Sequence, residues 1–351
     1  MATTFADIQE STWRENILFS ALIELTYRCN LDCFFCYNDV GLPGVPLSTA
    51  EYFRLFEDLR DLGTMNLTLS GGEPLAHPEF FMLGRKAREL DFVVRVKSNG
   101  HALRGRLARR LREEVDPFLV EISLHGASPE THDRQTRVPG SFLRLKSNLH
   151  ELQQLGLRIK LNCPVTKWNE HELEGMFALA DELGVPLQPD PEISRRDDGD
   201  AAPLQITPSR EGIARLLRIQ GERAEANRAL RGKPAADSGI TAAPTASAPT
   251  KHCGAGSSSV TVDPYGNVYP CVQWRRHAGN LHEESIRSMW TGSAELAEVR
   301  RLTVDVKQVV DAHPTPGFGF CPGLAEKETG HSTHLYPVAR LMLDLRKGAL
   351  R

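Results

Sequence analysis

Three cysteines, Cys29, Cys33 and Cys36, stand within eight residues of one another. Three thiolates so spaced can wrap one corner of an iron–sulfur cubane and leave its fourth iron without a protein ligand. An open metal position is what catalysis needs, whereas a structural site is closed. The spacing also suits a zinc knot completed by a distant residue, or ordinary buried cysteines. A second group is Ser70-Gly71-Gly72-Glu73-Pro74. Its glycines let backbone approach a ligand closely, and Glu73 can accept hydrogen bonds from an ammonium. The plainer reading is a Gly-Gly turn that ends a strand. Three more cysteines, Cys253, Cys271 and Cys321, fall in the last hundred residues. Asp263-Pro264-Tyr265-Gly266-Asn267 reads as a hairpin turn between the first two, which would bring their thiolates together. Cys163 stands alone. It reads as a small core hydrophobe or, more sharply, as a substrate-facing thiol that donates a hydrogen atom.

The elements that must position these groups follow a repeating pattern. Short runs rich in Val, Ile, Leu and Phe, at 21–26, 65–70, 92–97, 118–124, 157–163 and 185–189, read as strands. Helical stretches lie between them. Ser48 and Glu51 form a capping box ahead of an apolar face at Tyr52, Phe53, Leu55, Phe56, Leu59 and Leu62. Phe142, Leu145, Leu149, Leu152 and Leu155 make a second stripe, stopped by Gly156. Asn169 with Glu172 opens a third helix, closed by Gly184. Repeated strand–helix units predict a parallel sheet with right-handed crossovers. Six units are fewer than the eight of a closed barrel, so the fold class is α/β, a partial (β/α)6 barrel. Both the first cysteine group and Gly71-Gly72 then fall at strand C-termini, where such folds build their sites. A charged turn at 195–200 and a helical pattern at 210–230 lead to 232–250, dense in Ala, Pro, Ser and Thr, which reads as a linker or mobile loop.

Taken together, the two N-terminal motifs resemble the radical S-adenosylmethionine superfamily. Cys29, Cys33 and Cys36 match its C-x3-C-x2-C signature, with aromatic Phe35 before the last cysteine, and Gly71-Gly72-Glu73-Pro74 looks like the motif that holds the methionine amino group. The resemblance covers about residues 18–190 and implies a [4Fe–4S] cluster chelated by S-adenosylmethionine. It implies reductive cleavage to methionine and a 5′-deoxyadenosyl radical, which takes a hydrogen atom from substrate. It suggests cofactor contacts from Ser98, Asn99, Ser123 and Asn162 at later strand ends, and from Arg137 to the methionine carboxylate. His125 would line the substrate cavity or serve as a structural histidine. Cys253, Gly266 and Cys271 resemble the opening of the SPASM and twitch extensions, so Cys321 is expected to complete a three-cysteine auxiliary iron–sulfur site on a β-hairpin module. Leu324 stands where a twitch module would place its last cysteine. His252, His313, Asp311 and His331 are the nearby candidates for a fourth ligand, alongside substrate or water. The expected division is 18–195 for the barrel, 196–252 for the connector, 253–335 for the auxiliary module and 336–351 for a terminal helix or tail.

Relatives of this type mostly modify ribosomally made peptides, by crosslinking, thioether formation, epimerisation or oxidation. Small-molecule radical oxidoreductases or decarboxylases are the alternative, and a non-catalytic iron–sulfur or zinc protein is a third reading. The resemblance also implies an electron donor such as flavodoxin or ferredoxin. Residues 1–18 are too short for a fused leader-binding domain, so leader recognition is expected from a separate protein. With 351 residues and a net charge of −3, the chain gives no electrostatic case for nucleic acid or an acidic membrane. No apolar run approaches the roughly 20 residues that span a bilayer. No signal peptide is visible at the start, and a disulfide framework does not suit this chain. A soluble cytoplasmic protein is expected.

Overall fold

The computed structural model describes residues 5–230 and 250–349. The expected linker at 232–250 therefore lies almost wholly outside the described residues. The chain runs α1 (Phe5–Glu15), β1 (Ser20–Glu24), α2 (Thr49–Asp61), β2 (Asn66–Ser70), α3 (Phe80–Glu89), β3 (Val93–Ser98), α4 (Gly105–Arg110), β4 (Leu119–Ser123), α5 (Pro129–Thr136), α6 (Ser141–Gln154), β5 (Ile159–Pro164), α7 (Leu173–Glu182) and β6 (Leu187–Asp190). Then follow α8 (Arg210–Leu230), β7 (Ser259–Val262), β8 (Asn267–Tyr269), β9 (Gly279–Asn280), α9 (Ile286–Gly292), α10 (Ala294–Asp311), α11 (Pro322–Thr329) and α12 (Pro337–Ala349). No helix among the described residues is long and apolar enough to cross a membrane.

All six expected strands form, and they pair in parallel as one open sheet. Strand alternation sorts the residues. Leu67, Leu69, Val94, Val96, Val120, Ile122 and Leu161 are buried in the main hydrophobic core. The opposite positions on β3, β4 and β5 are polar: Arg95, Lys97, Glu121, Ser123, Lys160 and Asn162. In a closed barrel bulky branched residues fill that interior. Here a charged interior face lies under the strand ends. The Ser48–Glu51 capping box is formed, and Tyr52, Leu55, Phe56 and Leu59 are the buried face of α2. Each such side chain contributes about 1.5–3 kcal/mol on burial.

Two expected features take a form that the sequence did not show. Asn169 does not cap the third helix: its side chain accepts from the Thr166 N–H (2.7 Å) and donates to the His125 carbonyl (3.1 Å), and a 3₁₀ turn precedes α7. The expected hairpin is present and also joins the barrel sheet directly. β7 pairs in parallel with β1, from Ser20↔Ser259 to Ile23↔Val262, so the auxiliary hairpin extends the barrel sheet to nine strands. Val260 and Val262 are buried in the same core as Ile23, and that shared burial sets the register. Helix α1 was not expected. It carries Trp13 and leads into Asn16; the Trp13 carbonyl and the Asn16 side-chain oxygen accept from Lys251 Nζ (2.6 Å each), just ahead of Cys253.

Candidate active site

The loop after β1 is held from behind by α5. Asp32 N–H donates to the Thr136 carbonyl and Phe34 N–H to the Gln135 carbonyl (both 3.1 Å). Cys33 and Cys36 are joined by a turn, with Cys36 N–H donating to the Cys33 carbonyl (3.1 Å). Cys29 Sγ faces the Leu31 N–H (3.4 Å) and Asn99 Nδ2 (3.6 Å). All three cysteines line one cavity of about 300 Å³ at the C-terminal ends of the strands, the small end of the usual range for ligand pockets, roughly 300–1,000 Å³. Burial raises all three thiols, and at Cys33 the neighbouring Cys36 and Cys29 add to it. Among the described residues no three His, Cys, Asp or Glu are grouped so as to hold one metal ion.

Gly71 and Gly72 bind this loop to the next strand end. Gly72 N–H donates to the Thr26 carbonyl (2.7 Å) and Glu73 N–H to the Arg28 carbonyl (2.9 Å), so the turn is tied to the residues just before Cys29. Glu73 is buried. Its carboxylate accepts from Ser98 Oγ (3.0 Å), the Asn99 N–H (2.8 Å) and the Leu75 N–H (3.2 Å). Ser98 Oγ lies 3.0 Å from both carboxylate oxygens, so these three donors occupy the roughly four acceptor positions. A ligand ammonium would take over half of that shared bond. Gly71 and Gly72 line the cavity, and Glu73 itself is not on its wall. Pro74 starts the short 3₁₀ turn that follows and is buried. Burial pushes the Glu73 carboxyl up to about 7. The sign is unusual for a carboxylate: ionised Glu73 costs the free protein stability above its unfolded value near 4.5, and a bound ammonium offsets that cost. Affinity for S-adenosylmethionine is therefore expected to weaken as pH falls below 7, by at most about tenfold per pH unit. Equilibrium binding from pH 7 to 5.5 checks this. Glu73→Gln should bind more weakly and without that slope; a flat profile in the unaltered protein removes Glu73 from the role.

Ser98, Asn99, Ser123, Asn162, His125 and Phe35 all line the cavity, as the sequence suggested. Asn162 Nδ2 donates to Glu121 Oε2 (2.9 Å). His125 is 3% exposed, its ring 4.9 Å from that of Phe35, and burial holds its pKa well below the usual histidine value, so the imidazole is neutral near pH 7. Arg137 is not part of the cavity wall. Its guanidinium pairs with Asp32 (3.2 Å) and covers the Phe34 ring (4.8 Å), so it steadies the cysteine loop from outside. Cys163 also departs from its sharper reading. It is 1% exposed, packed in the core with its Sγ 3.5 Å from Met176 Sδ, and it does not border the cavity. The period of two explains this: Asn162 faces inward, so Cys163 faces the helices.

Several cavity residues escaped the sequence reading: Tyr27, Tyr37, Lys97, Glu121 and Arg196. Lys97 pairs in register with Glu121, and Glu121 with Lys160, whose Nζ lies 2.8 Å from its carboxylate. A charge at every second position of otherwise apolar strands was the available signal.

The C-terminal cysteines also come together. Cys321 is raised by burial and by the charges of Cys271 and Cys253, and Cys253 is pushed up to about 11 by burial. Of the four candidate fourth ligands, His252 is beside this group, its Nε2 2.8 Å from the Phe320 carbonyl. His313 faces the Val309 carbonyl (2.8 Å), Asp311 pairs with Lys307, and His331 packs on His334 (4.5 Å).

Family-level comparison matches residues 23–180 to the Radical SAM superfamily and 253–312 to SPASM, an iron–sulfur cluster-binding domain. The chain is 29% identical over 309 residues to the AdoMet-dependent heme synthase of Methanosarcina barkeri, covering 82% of this chain and 84% of that one. It is 32% identical over 254 residues to the PqqA peptide cyclase of Ruegeria pomeroyi (71% and 66% covered). It is 31% identical over 289 residues to mycofactocin maturase MftC of Mycobacterium ulcerans (79% and 75% covered). Among solved structures, native anSMEcpe with bound AdoMet superposes with a TM-score of 0.67 at 17% identity over 95% of this chain and 97% of that one. Streptococcus suis SuiB bound to precursor peptide SuiA gives 0.64 at 15% identity (83% and 69%). The chain belongs to the radical S-adenosylmethionine superfamily and carries a C-terminal SPASM module. That membership brings a [4Fe–4S] cluster with S-adenosylmethionine and auxiliary iron–sulfur. The donor sets fit: three thiols on the wall of a strand-end cavity, and three more near one another, Cys253 and Cys271 within the SPASM match and Cys321 beyond it.

Proposed function

We propose that this enzyme modifies a ribosomally synthesised peptide by radical chemistry. Cys29, Cys33 and Cys36 would hold the catalytic cluster, Gly71-Gly72-Glu73 with Ser98 and Asn99 the amino end of S-adenosylmethionine, and Ser123 and Asn162 its ribose or carboxylate. Cys253, Cys271 and Cys321 would hold the auxiliary iron–sulfur site. When bound, the cluster and its ligand supply a 5′-deoxyadenosyl radical that takes a hydrogen atom from the peptide. The protein's own part is placement: the turn Glu73 braces orients the ammonium, and Phe35 and His125 wall the reacting space from water. The single observation that carries the reading is that the three thiols and the Glu73-braced turn open onto one cavity at the strand ends. Support for a peptide comes from the PqqA peptide cyclase, two-thirds of whose length this chain spans. A flavodoxin- or ferredoxin-type donor and a separate leader-binding protein complete the proposal.

The likeness to the AdoMet-dependent heme synthase, over 84% of its length, favours a small-molecule substrate as the second reading. The test is anaerobic incubation of reconstituted enzyme with S-adenosylmethionine, dithionite and each short peptide encoded beside its reading frame. The expected result is a peptide mass change matched by 5′-deoxyadenosine. Undiminished 5′-deoxyadenosine with every peptide unchanged moves the reading to a small molecule.

A further inference from the structure

A buried network of charges joins the segments that carry the two cysteine groups. At its centre is Asp197, in the loop the sequence marks as a boundary. Its backbone N–H donates to the carbonyl of Tyr37 (2.8 Å), the residue after Cys36. Its carboxylate accepts from Arg275 Nε (3.1 Å) and from Lys327 Nζ (2.7 Å). Arg275 follows Cys271 by four residues, through a turn closed by Trp274 N–H on the Cys271 carbonyl (3.0 Å). Lys327 is on α11, the helix that Cys321 begins. The same guanidinium grips Glu24 at the end of β1 with two parallel bonds of 2.9 Å, and Tyr27 Oη donates to Glu24 as well (3.2 Å). One residue thus holds three segments, that of Cys36 through its backbone N–H and those of Cys271 and Cys321 through its carboxylate, while Glu24, which shares the Arg275 guanidinium, stands ahead of Cys29.

The chemistry favours a rigid joint. Glu24 is fully buried, and the side chains of Asp197, Arg275 and Lys327 are 11%, 14% and 16% exposed. Two cations and two anions balance. A guanidinium with a bidentate carboxylate fixes direction as well as distance, which an apolar contact or a lysine ammonium does not. Burying ions is a costly way to gain stability, and its best-attested use is to fix register. Outlying pairs, Arg276 with Glu326 (2.8 Å) and Arg195 with Glu328 (3.3 Å), brace α11 in the same direction.

We propose that Asp197 and Arg275 are positioning residues that set the separation and orientation of the auxiliary cysteine site relative to the radical site. The proposal rests on the reading that Cys253, Cys271 and Cys321 hold iron–sulfur. The experiment uses full-length protein, reconstituted and reduced with dithionite, in the variants Asp197→Asn, Arg275→Met, Arg275→Lys and Lys327→Met. Iron per chain is counted, and electron paramagnetic resonance reads how strongly each cluster speeds the spin relaxation of the other, an effect that falls steeply with separation. The expected result is unchanged iron with loss of that enhancement in Asp197→Asn and Arg275→Met, and its partial return in Arg275→Lys. Unaltered relaxation in both overturns the proposal. Loss of auxiliary iron in every variant, including Arg275→Lys and Lys327→Met, also overturns it, because the network is then only a strut for the module. Iron for one cluster alone in the unaltered protein overturns the auxiliary-site reading and the proposal together.

Discussion

Replacing Cys29, Cys33 and Cys36 together by alanine takes 5′-deoxyadenosine formation to the level of a protein-free control, while the iron bound at Cys253, Cys271 and Cys321 remains. The size of the effect follows from position. Residues that only support metal ligands cost roughly 10–100-fold when changed, and the proposed function makes these three the ligands themselves. No other thiol can stand in. Of the remaining cysteines, Cys163 is sealed in the core and the other three lie together in the C-terminal part of the chain. The loop should still fold, because its brace is backbone bonding to α5 and the Phe34–Trp168 ring contact (4.9 Å), none of which uses sulfur. Iron analysis and product chromatography read the outcome. Residual 5′-deoxyadenosine would remove the radical site from this loop, and loss of all iron would show that the C-terminal cysteines hold none alone.

Gly72→Ala is expected to lower S-adenosylmethionine binding and radical-site iron together, while sparing auxiliary iron. A Cβ at residue 72 would sit 2.6 Å from the Tyr27 carbonyl oxygen and 2.7 Å from that of Arg28. Both are backbone atoms, so the strand end itself must move, and Cys29 is the next residue along. The same turn carries Glu73, so the displacement reaches both halves of the site. Gly71→Ala adds a second cost: its φ is +131°, a conformation that L side chains rarely adopt, and its Cβ would strike the Thr26 carbonyl oxygen. Strain of this kind costs of order 1–3 kcal/mol. Gly63→Ala is the control. Its φ is +84° with open space around it, so it should lose stability of order 1 kcal/mol and keep full binding and iron. Thermal unfolding, ligand binding and iron counts separate the cases; equal binding in Gly72→Ala and Gly63→Ala would mean that the close approach at residue 72 does not build the site.

What could be read early was contiguous. Cys29, Cys33 and Cys36 share one loop, Ser48 and Glu51 share one helix turn, and Gly156 and Gly184 stop helices by their own positive φ. Such features depend on neighbours within a few residues, and six strand–helix units follow from periodicity alone. The inward charges Lys97 and Glu121 were legible in the same way, as polar steps in apolar strands, yet became site residues only once β3 and β4 were paired.

The amino-acid sequence by itself determined the class of chemistry, the open parallel sheet and the two sets of three cysteines. Tertiary structure alone decided that β7 joins β1, that Arg137 turns to Asp32 and that Glu73 braces Asn99. It alone brought Arg275 to Glu24, 251 residues away along the chain. The reason is physical. Local spacing fixes geometry within one turn or one strand, but the partner of a buried charge is chosen by which distant surfaces pack together, and a desolvated charge must find one. The cysteine loop was therefore readable at once, and the joint that places it against the second cysteine group was not.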